Sequence, residues 1–183
     1  MTDLLGESGR LERDATGSTP ALVFLNPKSS HNVGRAVRLA SCFGINQVWY
    51  TGERINADIE KLGRLPREER MKDYRDVALI NHERPLERFR SGVPVAVEVR
   101  KGSESLFSFV HPRDPIYVFG PEDGSIDSGV VSLCHRFIVI PARHCINVAD
   151  AAAIVLYDRM LKLWLAGQHD YVTPGEFEMR GIL

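Results

Sequence analysis

The chain has 183 residues, 44% of them hydrophobic, which is enough for one domain with a sizeable core. Its formal net charge of -1 excludes a globally basic nucleic-acid coat, though a local basic face remains compatible with it. The three cysteines, Cys42, Cys134 and Cys145, are odd in number and lack metal-ligand spacing, so the reading is a reducing compartment without structural zinc.

Residues 1–19 are polar and rich in Gly, Ser and Thr, and read as a flexible arm. They hold no apolar signal region, and no later stretch reaches the roughly 18 apolar residues of a membrane span, so the expectation is a soluble, cytoplasmic protein. Ala21 to Leu25 is a short apolar run ending at Asn26-Pro27, a first strand. Asn32 or a neighbouring serine caps a helix from about Val33 to Cys42, with Val37, Ala40 and Phe43 on its buried face and Gly44 as its stop. Gln47 to Tyr50 is a second strand. Residues 53–75 mix Arg54, Lys61, Arg64, Arg67, Arg70, Lys72 and Arg75 with acidic residues, and Pro66 opens a helix there. Val77 to Ile80 reads as a strand, Pro85 to Ser91 as a short helix, Val93 to Val99 as a strand and Ser103 to Phe109 as a short helix.

The last third carries the most information. Pro115 to Phe119 is a short buried strand that ends in Gly120, Pro121, Glu122, Asp123 and Gly124. A helix ends near Cys134. Phe137 to Ile140 is a further strand, followed by Pro141 and a polar loop. Asn147 then opens a helix from Val148 to Leu165. That helix is apolar on more than one face, so it is either buried in the domain or half buried in a subunit interface. The domain reading is an arm at 1–19, one domain at 20–166 and a polar tail at 167–183. Strand and helix alternate throughout, which predicts an α/β domain: a mostly parallel sheet with helices on both faces.

Familiar catalytic signatures are missing. The sequence has no GxxxxGK[ST], no GxGxxG after its first strand, no GxSxG and no HExxH. His144 and Cys145 are neighbours, but a nucleophile and its base must face each other, which adjacency does not provide. Cys134 reads as core filler. What remains is a set of polar residues at strand ends. Arg38 stands on the first helix, suited to phosphate or a developing oxyanion, or simply a solvated helix arginine. Asn32 is a helix cap or a site residue, Glu122 a functional carboxylate or a turn acid, and Asn147 a cap or a tie to a neighbouring loop. Lys101-Gly102 closes another strand. The loops after the 115–119 and 137–140 strands can build one pocket between them.

Together these pieces resemble the SpoU/TrmH family of RNA ribose 2'-O-methyltransferases, in the SPOUT class. Three motifs match in order: Asn32-Val33-Gly34-Arg35-Ala36-Val37-Arg38-Leu39-Ala40 with Phe43-Gly44; Tyr117 to Gly124, reading YVFGPEDG; and Ile140-Pro141, Cys145-Ile146-Asn147-Val148 and Ala151 to Tyr157. The match covers about residues 20–165. It implies a deep trefoil knot near the C-terminus, a bent S-adenosylmethionine held mainly by main chain, and release of S-adenosylhomocysteine. By resemblance the cofactor contacts are Val99, Arg100, Lys101, Gly102, Phe119, Gly120, Glu122, Gly124, Ile140, Cys145, Ile146 and Asn147, with Ile140 and Ile146 against the adenine. The implied catalytic set is Arg38, Asn32, Glu122, Cys145 and Asn147. Arg38 matches the catalytic arginine, Asn32 the motif-one asparagine that orders the site, and Glu122 and Asn147 the residues that shape the knot. Arg38 of one subunit would act near the cofactor of the other in a homodimer.

The chain departs from the family pattern at Cys145 and Ala149, where serines are usual, and in a shorter 141–145 segment carrying Arg143-His144. The implied activity is methyl transfer to a ribose 2'-hydroxyl of RNA, with tRNA favoured over rRNA because no long N-terminal extension precedes the domain. DNA, membranes and metals are not expected. The alternative is a non-catalytic knotted RNA-binding protein that keeps the cofactor pocket.

Overall fold

Seven parallel strands form one sheet in the computed structural model, which describes residues 16–62 and 77–168. The strands are β1 (Ala21–Phe24), β2 (Gln47–Tyr50), β3 (Ala78–Asn81), β4 (Val93–Val97), β5 (Glu104–Ser105), β6 (Pro115–Phe119) and β7 (Arg136–Val139). Among the described residues four α-helices accompany them: α1 (Ser30–Cys42), α2 (Asn56–Leu62), α3 (Ser128–Leu133) and α4 (Val148–Leu165). The strand order is β3-β2-β1-β6-β4-β7-β5. Every pairing is parallel, as strands joined by helical crossovers require.

Burial on both faces explains the short unbroken apolar runs. Leu22, Phe24, Val48, Tyr50, Val95, Tyr117 and Phe119 enter one core, beside Val33, Val37 and Ala40 of α1 and Ala152, Val155 and Leu156 of α4. Their alternating neighbours, Val23, Trp49, Ala96, Ile116 and Val118, enter the other, under Leu86, Phe89, Val130 and Val131. The expected helices on both faces are therefore present.

The last third is interleaved rather than laid down in order. β6 lies between β1 and β4, and β7 lies between β4 and β5. The β4–β5 connection therefore spans the end of β7, and Glu98 N donates to Ile138 O at 3.0 Å. This interleaving is what a C-terminal trefoil knot demands, and sequential chain-laying would not produce it.

Several local expectations change. Helix α1 begins at Ser30, three residues before the expected start, because Ser29 is its N-cap and accepts from Asn32 N. Residues 103–109 do not form the expected helix. Glu104 and Ser105 pair with Ile138 and Val139, and a turn follows. Arg136 holds Glu104 through Nε at 2.9 Å and covers the Phe109 ring at 4.3 Å. Lys162 donates to the Leu106 and Phe109 carbonyls, satisfying acceptors a helix would otherwise have used. The expected helix at 85–91 is one 3-10 turn over Pro85–Arg88. Helix α2 was not expected from the sequence. The Pro66 helix, the basic residues beyond position 62 up to 75, residues 1–15 of the arm and residues 169–183 of the tail lie outside the described residues. Residues 16–19, read as arm, are tied to the domain: Gly17 N donates to Arg88 O, and Ser18 N to Gln47 Oε1 at 2.8 Å.

A buried polar strut fixes α4. His111 Nε2 meets Asp158 Oδ2 at 2.8 Å and Nδ1 meets the Tyr117 hydroxyl at 2.6 Å. The carboxylate can only accept, so Nε2 carries the proton and Tyr117 donates to Nδ1. Lys162 completes the strut at 2.6 Å from Asp158. Burial pushes the His111 pKa down, and this outweighs the opposing pull of Asp158. A histidine depressed on folding contributes stability that is present above its unfolded pKa, about 6.5, and is lost as pH falls through the folded value. The wild-type melting temperature should therefore fall between pH 7 and pH 5 more steeply than that of His111→Gln, as read by thermal denaturation across that range.

Candidate active site

The C-terminal ends of β1, β4, β6 and β7 carry the loops that hold the candidate residues. Glu122, on the loop after β6, accepts from Asn32 Nδ2 at 2.8 Å and from the Lys28 amide at 2.7 Å. Asn147 Nδ2 donates to Asn32 Oδ1 at 3.1 Å. Asn147 also caps α4, its Oδ1 accepting from Ala149 N at 2.9 Å and Asp150 N at 3.4 Å. Three residues, 90 and 115 positions apart along the chain, thus form one hydrogen-bonded lock. Both readings of Asn147, cap and tie, hold at once. Asn32 is not the cap of α1: Ser29 takes that role, which leaves the Asn32 amide for the lock.

Burial raises the Glu122 pKa, but the Lys28 amide and the Asn32 side chain more than offset it, so the carboxyl sits below its ordinary range. It is held ionised as an acceptor. Its neighbour Asp123 makes different contacts. Arg54 forks onto it at 2.9 and 2.7 Å, and Lys28 Nζ lies 3.6 Å away. The Arg54 bonds hold the Asp123 carboxyl well below the usual carboxylate range.

The remaining expected residues range from exposed to fully buried. Arg38 is exposed on α1, one turn beyond Arg35, which pairs with Asp150 at the start of α4. Val99, Arg100, Lys101 and Gly102 form an exposed loop after β4; Val99 is 74% exposed, and Arg100 lies 4.3 Å from the Phe137 ring. Gly102 has φ +88 with open space around it, a conformation suited to glycine. Phe119 is buried and stacks on Phe24 at 5.0 Å, so its side chain serves the core and only its backbone is left for a ligand. Gly120 packs closely, since a Cβ there would lie 3.2 Å from Ile126. Gly124 is exposed; Ile140 and Ile146 are half-buried at the core edge. Cys145 is exposed and Ala149 fully buried, so a methyl fills the space that a serine would occupy at 149.

Sequence reasoning missed Glu98. Its carboxylate accepts from Ile126 N at 3.0 Å and its carbonyl from Ser103 Oγ at 3.1 Å. It therefore clamps the loop after β4 to the loop after β6. A groove of about 640 Å³ lies to one side of the lock. It runs between Pro121, Ser125 and Asp127 on one side and residues 83–87 on the other, with no contribution from the loop after β7. Among the described residues no cluster of potential metal ligands occurs, and no helix is long and apolar enough to cross a membrane.

The family model of the SpoU rRNA methylase family matches residues 20–157. The chain belongs to that family. A curated relative, an uncharacterized tRNA/rRNA methyltransferase of Synechocystis sp., is 24% identical over 156 residues, covering 79% of this chain and 52% of its own length. The chain thus spans about half of that relative. Among solved structures, the SpoU methyltransferase AviRb from Streptomyces viridochromogenes is similar with a TM-score of 0.66 at 20% identity, over 87% of this chain and 65% of that one. Its complex with the cofactor AdoMet is similar with a TM-score of 0.62 at 17% identity, over 84% and 61%. The A. aeolicus TrmH/SpoU tRNA modifying enzyme gives 0.66 at 20% identity, over 92% and 86%. The parallel sheet and its interleaved C-terminal third are those of the SpoU/TrmH SPOUT fold.

The lock gives a direct test. Asn32→Asp removes the donor to Glu122 and sets a second carboxylate against it. We expect a loss of about 1–3 kcal/mol at pH 7 in denaturant titrations, partly recovered toward pH 5, where the pair can share a proton.

Proposed function

We propose that this protein transfers a methyl group from S-adenosylmethionine to a ribose 2'-hydroxyl of RNA. The observation that carries the reading is the Glu122–Asn32–Asn147 lock, which ties the three family motifs into one site. The chain offers a main-chain cradle of the right kind. Its loops after β4, β6 and β7 stand on adjacent strands, Gly102 leaves open backbone, and Ile140 and Ile146 present apolar surface for an adenine.

A bound sulfonium donor supplies an already activated methyl group. The chain must then position the ribose and handle its proton. Arg38, on the helix whose first turn carries Asn32, is proposed to favour the 2'-oxygen as it becomes an alkoxide. The lock fixes the end of α1 against α4 and so fixes where Arg38 stands. Cys145, Asn147 and Glu122 are proposed to shape the cradle.

The proposed assembly is a homodimer. Ile154, Tyr157, Leu161, Trp164 and Leu165 recur at helical spacing along α4, and all are exposed, Trp164 by 59% and Leu165 by 68%. Such an apolar stripe is costly to leave in water and fits a second copy of itself. Of the RNA classes, tRNA is proposed first. The A. aeolicus tRNA modifying enzyme, of which this chain covers 86%, supports that order. The proposed location is the cytoplasm.

Incubation with labelled S-adenosylmethionine and separate tRNA and rRNA fractions, followed by nucleoside mass spectrometry, should yield a 2'-O-methylated nucleoside. Arg38→Ala should lower transfer by about 10²-fold or more while cofactor affinity stays within about twofold; full turnover in that variant would remove Arg38 from the mechanism. Cofactor binding without transfer in the wild type would favour the non-catalytic alternative. Leu161→Glu with Trp164→Glu should convert a dimer to a monomer in size-exclusion light scattering.

A further inference from the structure

Two cations converge on one carboxylate beside the lock. Arg54 grips both oxygens of Asp123 and also lies 3.4 Å from the Asn26 carbonyl, while Lys28 Nζ approaches the same carboxylate at 3.6 Å. All three side chains are wet: Arg54 is 32% exposed, Asp123 45% and Lys28 62%. Lys28 serves Glu122 through its backbone amide, so its ammonium is a separate group available to an anion. The guanidinium fork fits the two oxygens of a phosphodiester as well as those of a carboxylate.

We infer that Arg54 and Lys28 form a phosphodiester site for the RNA strand next to the reacting ribose, and that Asp123 occupies this site until RNA displaces it. The inference rests on the RNA reading proposed above. The ionised Glu122 also lies within electrostatic reach of Arg54, but it is engaged by the lock, so Asp123 alone pairs directly with the two cations, and an exposed ion pair is cheap to exchange. The adjoining groove supports the same placement. Leu25, Leu86, Pro121 and Val130 give it apolar walls suited to a base. Glu83 and Asp127 line it, and Arg84 lines it paired with Glu87, so its lining is net acidic and disfavours phosphate, while Arg54 stands beside it at the Asn26 carbonyl. No covalent bond changes: the phosphodiester takes the Arg54 fork and Asp123 is released to water.

The displacement predicts opposite signs for two substitutions. In equilibrium binding of the full chain to tRNA and rRNA across a salt series, Arg54→Gln should weaken binding about 3–10-fold and reduce the salt slope by roughly 0.7. Asp123→Asn should tighten binding about 2–5-fold. S-adenosylmethionine affinity, measured on the same samples, should stay within about twofold for both. A purely structural latch would give the same sign for both variants. The inference is overturned if Asp123→Asn leaves RNA affinity unchanged or weakens it, if it loses the cofactor, or if Arg54→Gln keeps wild-type affinity and slope. A wild type that methylates RNA while Arg54→Gln behaves normally would sink this inference alone. A wild type that binds neither RNA nor cofactor would sink the proposed function and this site with it.

Discussion

The side-chain amide of Asn32 is the interaction on which the site depends. It donates to Glu122 and accepts from Asn147, so one planar group connects the loop after β6 to the start of α4. Few side chains can do this. A carboxylate lacks the donor, an ammonium or guanidinium lacks the acceptor, and a hydroxyl has one proton and a shorter reach. The two partners are chosen to match. Glu122 stays ionised and needs donors; Asn147 spends its oxygen on the α4 cap and has its nitrogen left for Asn32.

Around that amide the fold is arranged so that each neighbour has a separate task. Ser29 caps α1, which releases Asn32 from capping. The Lys28 amide holds the second oxygen of Glu122. Glu98 clamps the loop after β4 to Ile126, bringing a third loop to the same sheet edge. On the far side of α4 the His111–Asp158–Lys162 strut fixes the helix against the turn after β5. Helix α4 is thus pinned at its first turn and again three turns later, while its apolar stripe faces outward.

Strands and the last helix were legible because their signals are local. Pro115–Phe119 and Val148–Leu165 lie where apolar runs and a capping asparagine place them. The 103–109 segment was not legible, because its conformation is set by Arg136, Ile138 and Lys162, all distant in sequence. Helix α2 was hidden by the surrounding charge. The candidate site residues Asn32, Glu122 and Asn147 were named from motif order, yet their mutual bonds span up to 115 residues and no spacing rule supplies them. Glu98 gave no signal at all: an acid at the end of a strand is ordinary until the loop it clamps is known.

Glu122 and Asp123 show how little separates a structural acid from an electrostatic one. They are adjacent, both exposed at the residue level and both held below the usual carboxylate range. The causes differ. Glu122 is held by neutral donors, a backbone amide and a side-chain amide, which no salt can screen and no phosphate can replace without breaking the lock. Asp123 is held by partly exposed cations, a pairing that salt weakens. An acid held by neutral donors and one held by partly exposed cations therefore sit one residue apart on the same loop. On the proposed reading a cradle stays fixed while a charged strand arrives and leaves, and this loop offers both properties through the chemistry of the donors rather than of the acids.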